Sequence, residues 1–387
     1  MSDKENDRPA PPAATANEEH DHPSPAEVSR GMTTRRLLTA RQLQESLVVA
    51  PPPSPRIACI AGLQSALAVL VAVSLIHFSP WPHLVGYPAL GALAALYGRY
   101  ASLSRRKSIV GISAVLLTLS VLIPSLASLA GMPLVAKMFL LALLTGAASL
   151  AVAHWNLGGP GAVIFLFAVG AALGPVDSWQ TVIERTAATA AGGAIAWLTC
   201  MLTDRLRSVE IASLNLPASP RRPFRHELIS AIRIAIGAAI AALTAHAAGW
   251  QFPAWAAIGA TAVMQGGHLH ITMNRALQRM AGTIIGAFIA WAILAQSPPF
   301  WMLLAAVVIF QFITEVVIGY NYALGQITIT PMALLMTYLT LPTAAAIMPV
   351  ERVLDTILGA TIGIVFAVIF STLDDRVYLA QHHQEKS

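Results

Sequence analysis

The stretch NRALQRMAGTIIG, residues 274–286, opens a long apolar segment with two arginines. Arg275 and Arg279 are four residues apart, which places them on one face of a helix. Gly282 and Gly286 follow at the small-xxx-small spacing that lets helices pack closely in lipid. Two fixed positive charges at the mouth of a membrane helix indicate that this helix faces an anion.

Composition around this stretch is that of an integral membrane protein. Of 387 residues, 56% are hydrophobic and 11% are charged, whereas an average soluble domain carries about 25% charged residues. The net charge of +5 comes from short Lys and Arg clusters between apolar segments, which is typical of topology signals and not of a nucleic-acid-binding face. We therefore expect membrane lipids as partners and no nucleic acid.

Hydropathy predicts an all-α protein with about twelve transmembrane helices, on the usual length of about 20 residues. The segments fall at about 57–79, 84–98, 108–128, 134–153, 160–174, 186–203, 228–248, 252–267, 276–295, 299–318, 323–342 and 352–372. Three of them, 84–98, 160–174 and 252–267, are short. We expect these three to be broken or tilted helices that lie against protein.

Charge asymmetry predicts the orientation of the chain. One side would receive most of the basic residues, namely Arg99, Arg105, Arg106, Lys107, Arg205, Arg207, Arg221, Arg222, Arg225, Arg275, Arg279 and Arg376. The other side would receive Lys137, Arg185 and Arg352. By the positive-inside rule, both termini are expected to be cytoplasmic.

The two halves of the chain are predicted to be parallel six-helix repeats. Corresponding residues are Trp81 and Trp250, Gly98 and Gly267, Arg106 and Arg275, Asn156 and Asn321, and the pairs Glu184-Arg185 and Glu351-Arg352. The halves also close alike, with TDR at 203–205 and DDR at 374–376. Because six is an even number, the repeats would share one orientation about a pseudo-two-fold axis along the membrane normal.

This repeat divides the chain into five predicted parts. They are a disordered cytoplasmic N-terminal tail over 1–55, a first transmembrane repeat over 56–204, a cytoplasmic linker over 205–227, a second transmembrane repeat over 228–373 and a cytoplasmic C-terminal tail over 374–387. Within the first tail, residues 33–49 combine leucines with arginines. They predict either a short amphipathic helix on the membrane face or a partly helical solvated tail.

Candidate anion-binding residues lie on three segments. Arg275 and Arg279 begin their helix, where the dipole and the free N–H groups also favour an anion. Arg106 is the first-half counterpart of Arg275, and the polar segment GYNYALGQITITP at 319–331 adds Asn321, Tyr322 and Thr328. Two alternatives stay open, because arginines also anchor helices at headgroups and threonines also bond to their own helix.

Glu315 is the candidate for proton coupling. It lies late in the tenth segment, which would bring it to the level of Arg279. A buried carboxylate in lipid must pair or take a proton. The alternative is therefore a fixed ion pair with Arg279 or Arg275.

Three charged residues near the start of the last segment share one helix face: Glu351, Arg352 and Asp355. We expect them to form structural ion pairs. The sequence contains no Walker motif, GxSxG, CxxC or HExxH. Neither ATP hydrolysis nor hydrolytic catalysis is predicted, and no metal or cofactor is expected.

Three motifs of the second half resemble a known family. They are NRALQRMAGTIIGA at 274–287, NYALGQITITPMALL at 321–335 and ERVLDTILGATIG at 351–363. In this combination and order they resemble the fusaric acid resistance protein-like family of bacterial inner-membrane proteins, which includes aromatic carboxylic acid exporters. The first half matches more weakly, with RRKSIVG and HWNLGGPG in the corresponding places.

The resemblance implies a multi-pass protein of the bacterial inner membrane that exports small organic, including aromatic, acid anions. It also implies work with a periplasmic adaptor protein, and a homo-oligomer is left open. Plant aluminium-activated malate channels are distantly similar, so a passive anion channel is an alternative. The short linker, in place of the cytoplasmic domain of longer family members, leaves a non-transporting scaffold or accessory subunit as a third hypothesis.

Overall fold

The computed structural model describes residues 29–207, 211, 214, 223–266, 269–341, 346–371, 376 and 378–379. Within these ranges the chain is helical and contains no strand. The α-helices are α1 (Arg30–Leu37), α2 (Ala40–Ser46), α3 (Pro55–His77), α4 (Gly86–Ala92), α5 (Leu103–Leu129), α6 (Leu134–Trp155), α7 (Val163–Ala172), α8 (Trp179–Thr203), α9 (Phe224–Ala247), α10 (Pro253–Met264), α11 (Leu269–Leu294), α12 (Phe300–Val317), α13 (Tyr322–Thr340) and α14 (Met348–Ile369). Most of the predicted linker and C-terminal tail lies outside the described residues.

Nine helices in the described ranges are long and apolar enough to cross a membrane: α3, α5, α6, α8, α9 and α11 to α14. The prediction of an all-helical, multi-pass membrane protein is thereby confirmed. Three shorter apolar helices, at Gly86–Leu96, Val163–Ala172 and Pro253–Met264, fall on the three segments predicted to be short. All residues of α10 are buried, so this short helix lies against protein, as its length required.

The helices of the two halves make corresponding contacts. In the first half α4 packs on α8, and in the second half α10 packs on α14. Both crossings are at glycines: a Cβ on Gly192 would lie 2.0 Å from the Pro88 carbonyl oxygen, and one on Gly359 would lie 2.2 Å from that of Ala256. Between the halves, α6 packs on α9 and α3 packs on α12.

The glycine pair of α11 sets this helix directly against α13. A Cβ on Gly282 would lie 2.6 Å from the Ala323 carbonyl oxygen, and one on Gly286 would lie 2.7 Å from the Cβ of Thr330. Backbone contact this close requires glycine, which agrees with the small-xxx-small prediction. α11 also packs on α14, so it is the central helix of the second half.

Residues 29–50 form a strap across the start of α11 and α13. The Gln42 Nε2 donates to Asn274 Oδ1 at 2.7 Å, and the Gln278 Nε2 donates to the Ser46 carbonyl at 2.7 Å. Leu37 packs with Leu269 and Met273. This corrects the predicted disorder of 1–55 for the described part, because the amphipathic helices α1 and α2 find partners on protein. Residues 1–28 lie outside the described residues.

Candidate functional site

Five polar side chains lie together where α11 meets α13 and α14: Arg279, Tyr322, Gln326, Arg352 and Asp355. We refer to them as the arginine cluster. The three charged side chains of the cluster lie on α11 and α14 and are buried. Arg279 is 1% exposed, Arg352 is 2% exposed and Asp355 is 0% exposed. Burial of charge is costly unless the charge is paired, so the contacts of each group decide what the cluster can do.

Arg279 reaches from α11 to the first turns of α13. Its Nη1 donates to Tyr322 Oη at 3.0 Å and to Gln326 Oε1 at 3.4 Å. Its Nε is buried without a hydrogen-bond partner. Arg275, one turn earlier, lies over the Tyr322 ring at 6.0 Å. Tyr322 therefore joins both arginines of the opening motif.

Arg352 reaches the cluster from the opposite end of the bundle, on α14. Its guanidinium lies over the Trp255 ring of α10 at 5.2 Å, and its Nε and Nη1 are buried without hydrogen-bond partners. Arg279, Asp355 and Tyr322 all interact electrostatically with it. The two like charges repel each other, and a single carboxylate offsets them only in part.

The predicted ion pairs among Glu351, Arg352 and Asp355 are not formed in the part of the chain that the structure describes. Glu351 instead accepts hydrogen bonds from the Gln251 N–H, at 3.0 and 3.1 Å. Arg352 turns to Trp255, and both carboxylate oxygens of Asp355 are buried without a hydrogen-bond partner. The shared helix face was predicted correctly, but contacts with α10 separate the charges.

Glu315 lies outside the arginine cluster. Glu315 lies at the end of α12, and its carboxylate forms a buried ion pair with Arg99. The predicted partners of this carboxylate were Arg279 or Arg275. Burial lowers the pKa of Arg99 and the Glu315 carboxylate raises it, with a net upward shift. Arg99 lies in the loop between α4 and α5, and this contact between distant segments was not indicated by spacing within either segment.

Arg106 is buried in the first half, where Asp204 accepts from its Nη1 at 2.7 Å. Asp204 also accepts from Arg207 at 2.8 Å, and Arg207 donates to the Arg99 carbonyl. Burial raises the pKa of Asp204, and the nearby Arg106 opposes this shift. This network differs from the predicted substrate contact of Arg106. The repeated closing motif that contains Asp204 was the signal that pointed to it.

Asn321 and Thr328, also predicted to bind the anion, hold the local structure. The Asn321 Oδ1 accepts from the Ala323 N–H at 2.7 Å and caps α13, while its Nδ2 donates to the carbonyls of Ser46 and Val48. The Thr328 Oγ1 donates to the Gly325 carbonyl at 2.9 Å and accepts from Thr314 at 2.7 Å. Both residues therefore position Tyr322 and Gln326.

Part of this arrangement recurs in the first half. Arg185 lies over the Tyr87 ring at 5.4 Å, and Glu184 lies 3.8 Å from His83, as Arg352 and Glu351 contact Trp255 and Gln251. The positions corresponding to Arg279 and Asp355 are Val110 and Ala188. The complete cluster thus belongs to the second half alone. Within the described ranges, no group of three His, Cys, Asp or Glu residues is placed to hold a metal.

Comparisons with known proteins give one family match and one related protein. Residues 238–366 match the model of a family described as fusaric acid resistance protein-like, which confirms the predicted resemblance over this range and includes the whole arginine cluster. A 138-residue stretch is 34% identical to the uncharacterized membrane protein YvaC of Bacillus subtilis (strain 168), covering 35% of this chain and 22% of that protein. The chain thus matches about a fifth of that relative's length. No solved structure matches the chain.

Proposed function

We propose that this multi-pass membrane protein transports small organic anions across the bacterial inner membrane and binds them at the arginine cluster. The observation that carries the proposal is the pair of buried guanidinium groups, Arg279 and Arg352, with N–H donors that have no acceptor among the described residues. With Asp355 ionised, the three charges leave one positive charge uncompensated. A bound monoanion would neutralise it.

The chemistry of the donors favours a carboxylate. Guanidinium groups bind carboxylates through charge-assisted hydrogen bonds, and Arg352 has two buried donors, Nε and Nη1, without a partner among the described residues. The rings of Tyr322 and Trp255 lie beside the arginines. Aromatic faces next to such donors suit an aromatic acid, which is the substrate class that the family resemblance implies.

The proposed architecture is twelve helices in two parallel repeats, with both termini cytoplasmic and with transmembrane repeats over 56–204 and 228–373. The corresponding packing of α4 on α8 and α10 on α14 supports it, as does the reciprocal packing of α6 on α9 and α3 on α12. The family resemblance further suggests export and a periplasmic adaptor. The alternatives are an anion channel and a non-transporting scaffold, and measuring benzoate transport into liposomes distinguishes them.

Binding of benzoate, a simple aromatic carboxylate, to purified protein in detergent tests the site. We expect Arg279→Gln to weaken binding by about 10- to 100-fold, as expected for loss of a hydrogen bond to a charged group, and Arg279→Lys to recover part of it. Arg105→Gln removes an exposed arginine and serves as the control. Equal benzoate affinity in wild type and Arg279→Gln would remove the basis of the proposal.

A further inference from the structure

Asp355 is the carboxyl group of the arginine cluster. Its exposure is 0%, and neither of its oxygens has a hydrogen-bond partner among the described residues. An ionised carboxylate in this state is costly unless it is paired or takes a proton. Its neighbour Arg352, on the same helix, is turned onto Trp255. Asp355 is therefore free to change its protonation state without breaking a hydrogen bond.

The charged groups around Asp355 come from few elements. On its own helix they are Glu351 and Arg352, and α11 contributes Arg279 through its interaction with Arg352. α10, which packs most closely here, carries no titratable residue between Pro253 and Met264. α9 places small apolar residues at its buried face and brings the partly exposed His246 to the same end of the bundle. α1 packs at the far end of α14.

The other carboxylates near these helices are already satisfied. Glu315 is paired with Arg99, and Glu351 accepts two contacts from the Gln251 N–H. Hydrogen bonds and a cationic partner both favour the charged form of a carboxylate. Glu315 and Glu351 thus already have partners, whereas the Asp355 carboxylate has no hydrogen-bond partner among the described residues.

We infer that Asp355, and not Glu315, takes up a proton when an anion binds between Arg279 and Arg352. The inference rests on the proposed anion site. Without an anion, the Asp355 carboxylate offsets one of the two arginines. A bound carboxylate adds a second negative charge beside Asp355, and like charges that share a site favour protonation of one of them. One proton then moves from solution to an Asp355 oxygen, where an O–H bond forms, and no other bond changes.

The direction of coupling follows from this charge balance. Because anion and proton stabilise each other in the cluster, they bind together and move in the same direction. A monocarboxylic acid would cross without net charge. Net flux would then follow the concentration gradient of the acid, and a pH gradient that is acidic outside would oppose export. Benzoate would bind more tightly as the pH falls over the range in which benzoate itself stays ionised.

Proton uptake in weakly buffered detergent solution tests the assignment. On adding benzoate at mildly alkaline pH, where Asp355 starts ionised, a pH indicator should report proton uptake that accompanies benzoate binding by wild type. Asp355→Asn should bind benzoate without proton uptake and lose the pH dependence of affinity, while Asp355→Glu should restore both. Glu184→Gln, at the first-half counterpart of Glu351, is the carboxyl-removal control and should behave as wild type.

Two results would overturn the inference while leaving the anion site standing. One is benzoate binding by wild type without proton uptake. The other is full proton uptake by Asp355→Asn together with its loss in the double variant Arg99→Gln/Glu315→Gln. Failure of wild type to bind benzoate would instead count against the proposed function.

Infrared spectroscopy with and without benzoate decides the Asp355 assignment separately. A protonated-carboxyl carbonyl band that appears when benzoate is added to wild type, and does not appear in Asp355→Asn, supports it. The same band appearing in both proteins overturns it. Size-exclusion profiles and helical circular dichroism identify any variant that has failed to fold.

Discussion

Arg279 was identifiable from sequence because it lies one turn deeper than Arg275 and has no basic counterpart in the first half. Its contact with Tyr322 was also within reach, since both residues lie in motifs of one family. Arg352 and Asp355 were not, because their i,i+3 spacing predicts an internal ion pair. Only the packing of α14 on α10 and α11 turns Arg352 to Trp255 and leaves Asp355 unpaired.

Tyr322→Phe tests the hydrogen bond that orients Arg279. The ring remains, but the Oη that accepts from Arg279 Nη1 at 3.0 Å is lost. We expect benzoate affinity to fall by about 2- to 10-fold, measured by calorimetry. Tyr320→Phe, in the turn before α13 and outside the cluster, should leave the affinity unchanged, and an equal loss in both variants would argue against a specific role of Tyr322.

Glu315→Gln tests the ion pair between Glu315 and Arg99. Glu315 was the predicted proton carrier, and the structure places it in this pair. The substitution leaves Arg99 buried without its anion, a change that costs about 3–5 kcal/mol in a buried pair. We expect a clear fall in the melting temperature of the detergent-solubilised protein. Arg99→Gln/Glu315→Gln should recover much of the loss, and no difference between single and double variant would mean that the pair contributes nothing.

At the scale of the helices, sequence predicted most of the long spans, because apolar length and flanking charge are local properties. The three short segments were also recognisable by length. The strap was not, because its helices are held by side chains distant in sequence, such as Gln42 on Asn274. Such partners follow from tertiary packing and leave no periodic signal.

Gly282→Ala tests the contact between α11 and α13. Its Cβ would lie 2.6 Å from the Ala323 carbonyl oxygen, and overpacking of this kind costs about 1–3 kcal/mol. We expect a lower melting temperature and weaker benzoate binding, since Tyr322 moves away from Arg279. Gly111→Ala is the matched control, because its Cβ would meet no atom nearer than 3.8 Å. Equal effects of the two substitutions would exclude close packing as the role of Gly282.

Truncation of residues 1–49 tests the strap. It removes the partners of Gln278 and Asn321, which flank Arg279 and Tyr322 in sequence. In a background without Cys59 and Cys200, a thiol reagent should label Gln278→Cys faster in the truncated protein than in the full chain. Lys107→Cys, exposed on α5, should react equally in both. Unchanged labelling of Gln278→Cys would show that the strap does not cover this surface.

At the scale of the whole molecule, the two halves make corresponding helix contacts, but the arginine cluster is complete in the second half alone. Arg185 lies over the Tyr87 ring in the first half, and Arg352 lies over the Trp255 ring in the second. Arg279 and Asp355 have apolar counterparts in the first half. On the proposed function, each chain therefore carries one anion site, held in the second half by helices that the first half supports through α3 and α6.

Counterflow of radiolabelled benzoate into liposomes that contain purified protein measures transport through the arginine cluster, and protein-free liposomes measure the passive leak. The account predicts exchange above this leak for wild type, its loss in Arg279→Gln, and retention in Arg105→Gln. Currents that far exceed carrier turnover would identify a channel at the same site. Wild-type exchange no faster than the leak, or equal exchange in wild type and Arg279→Gln, would contradict the account.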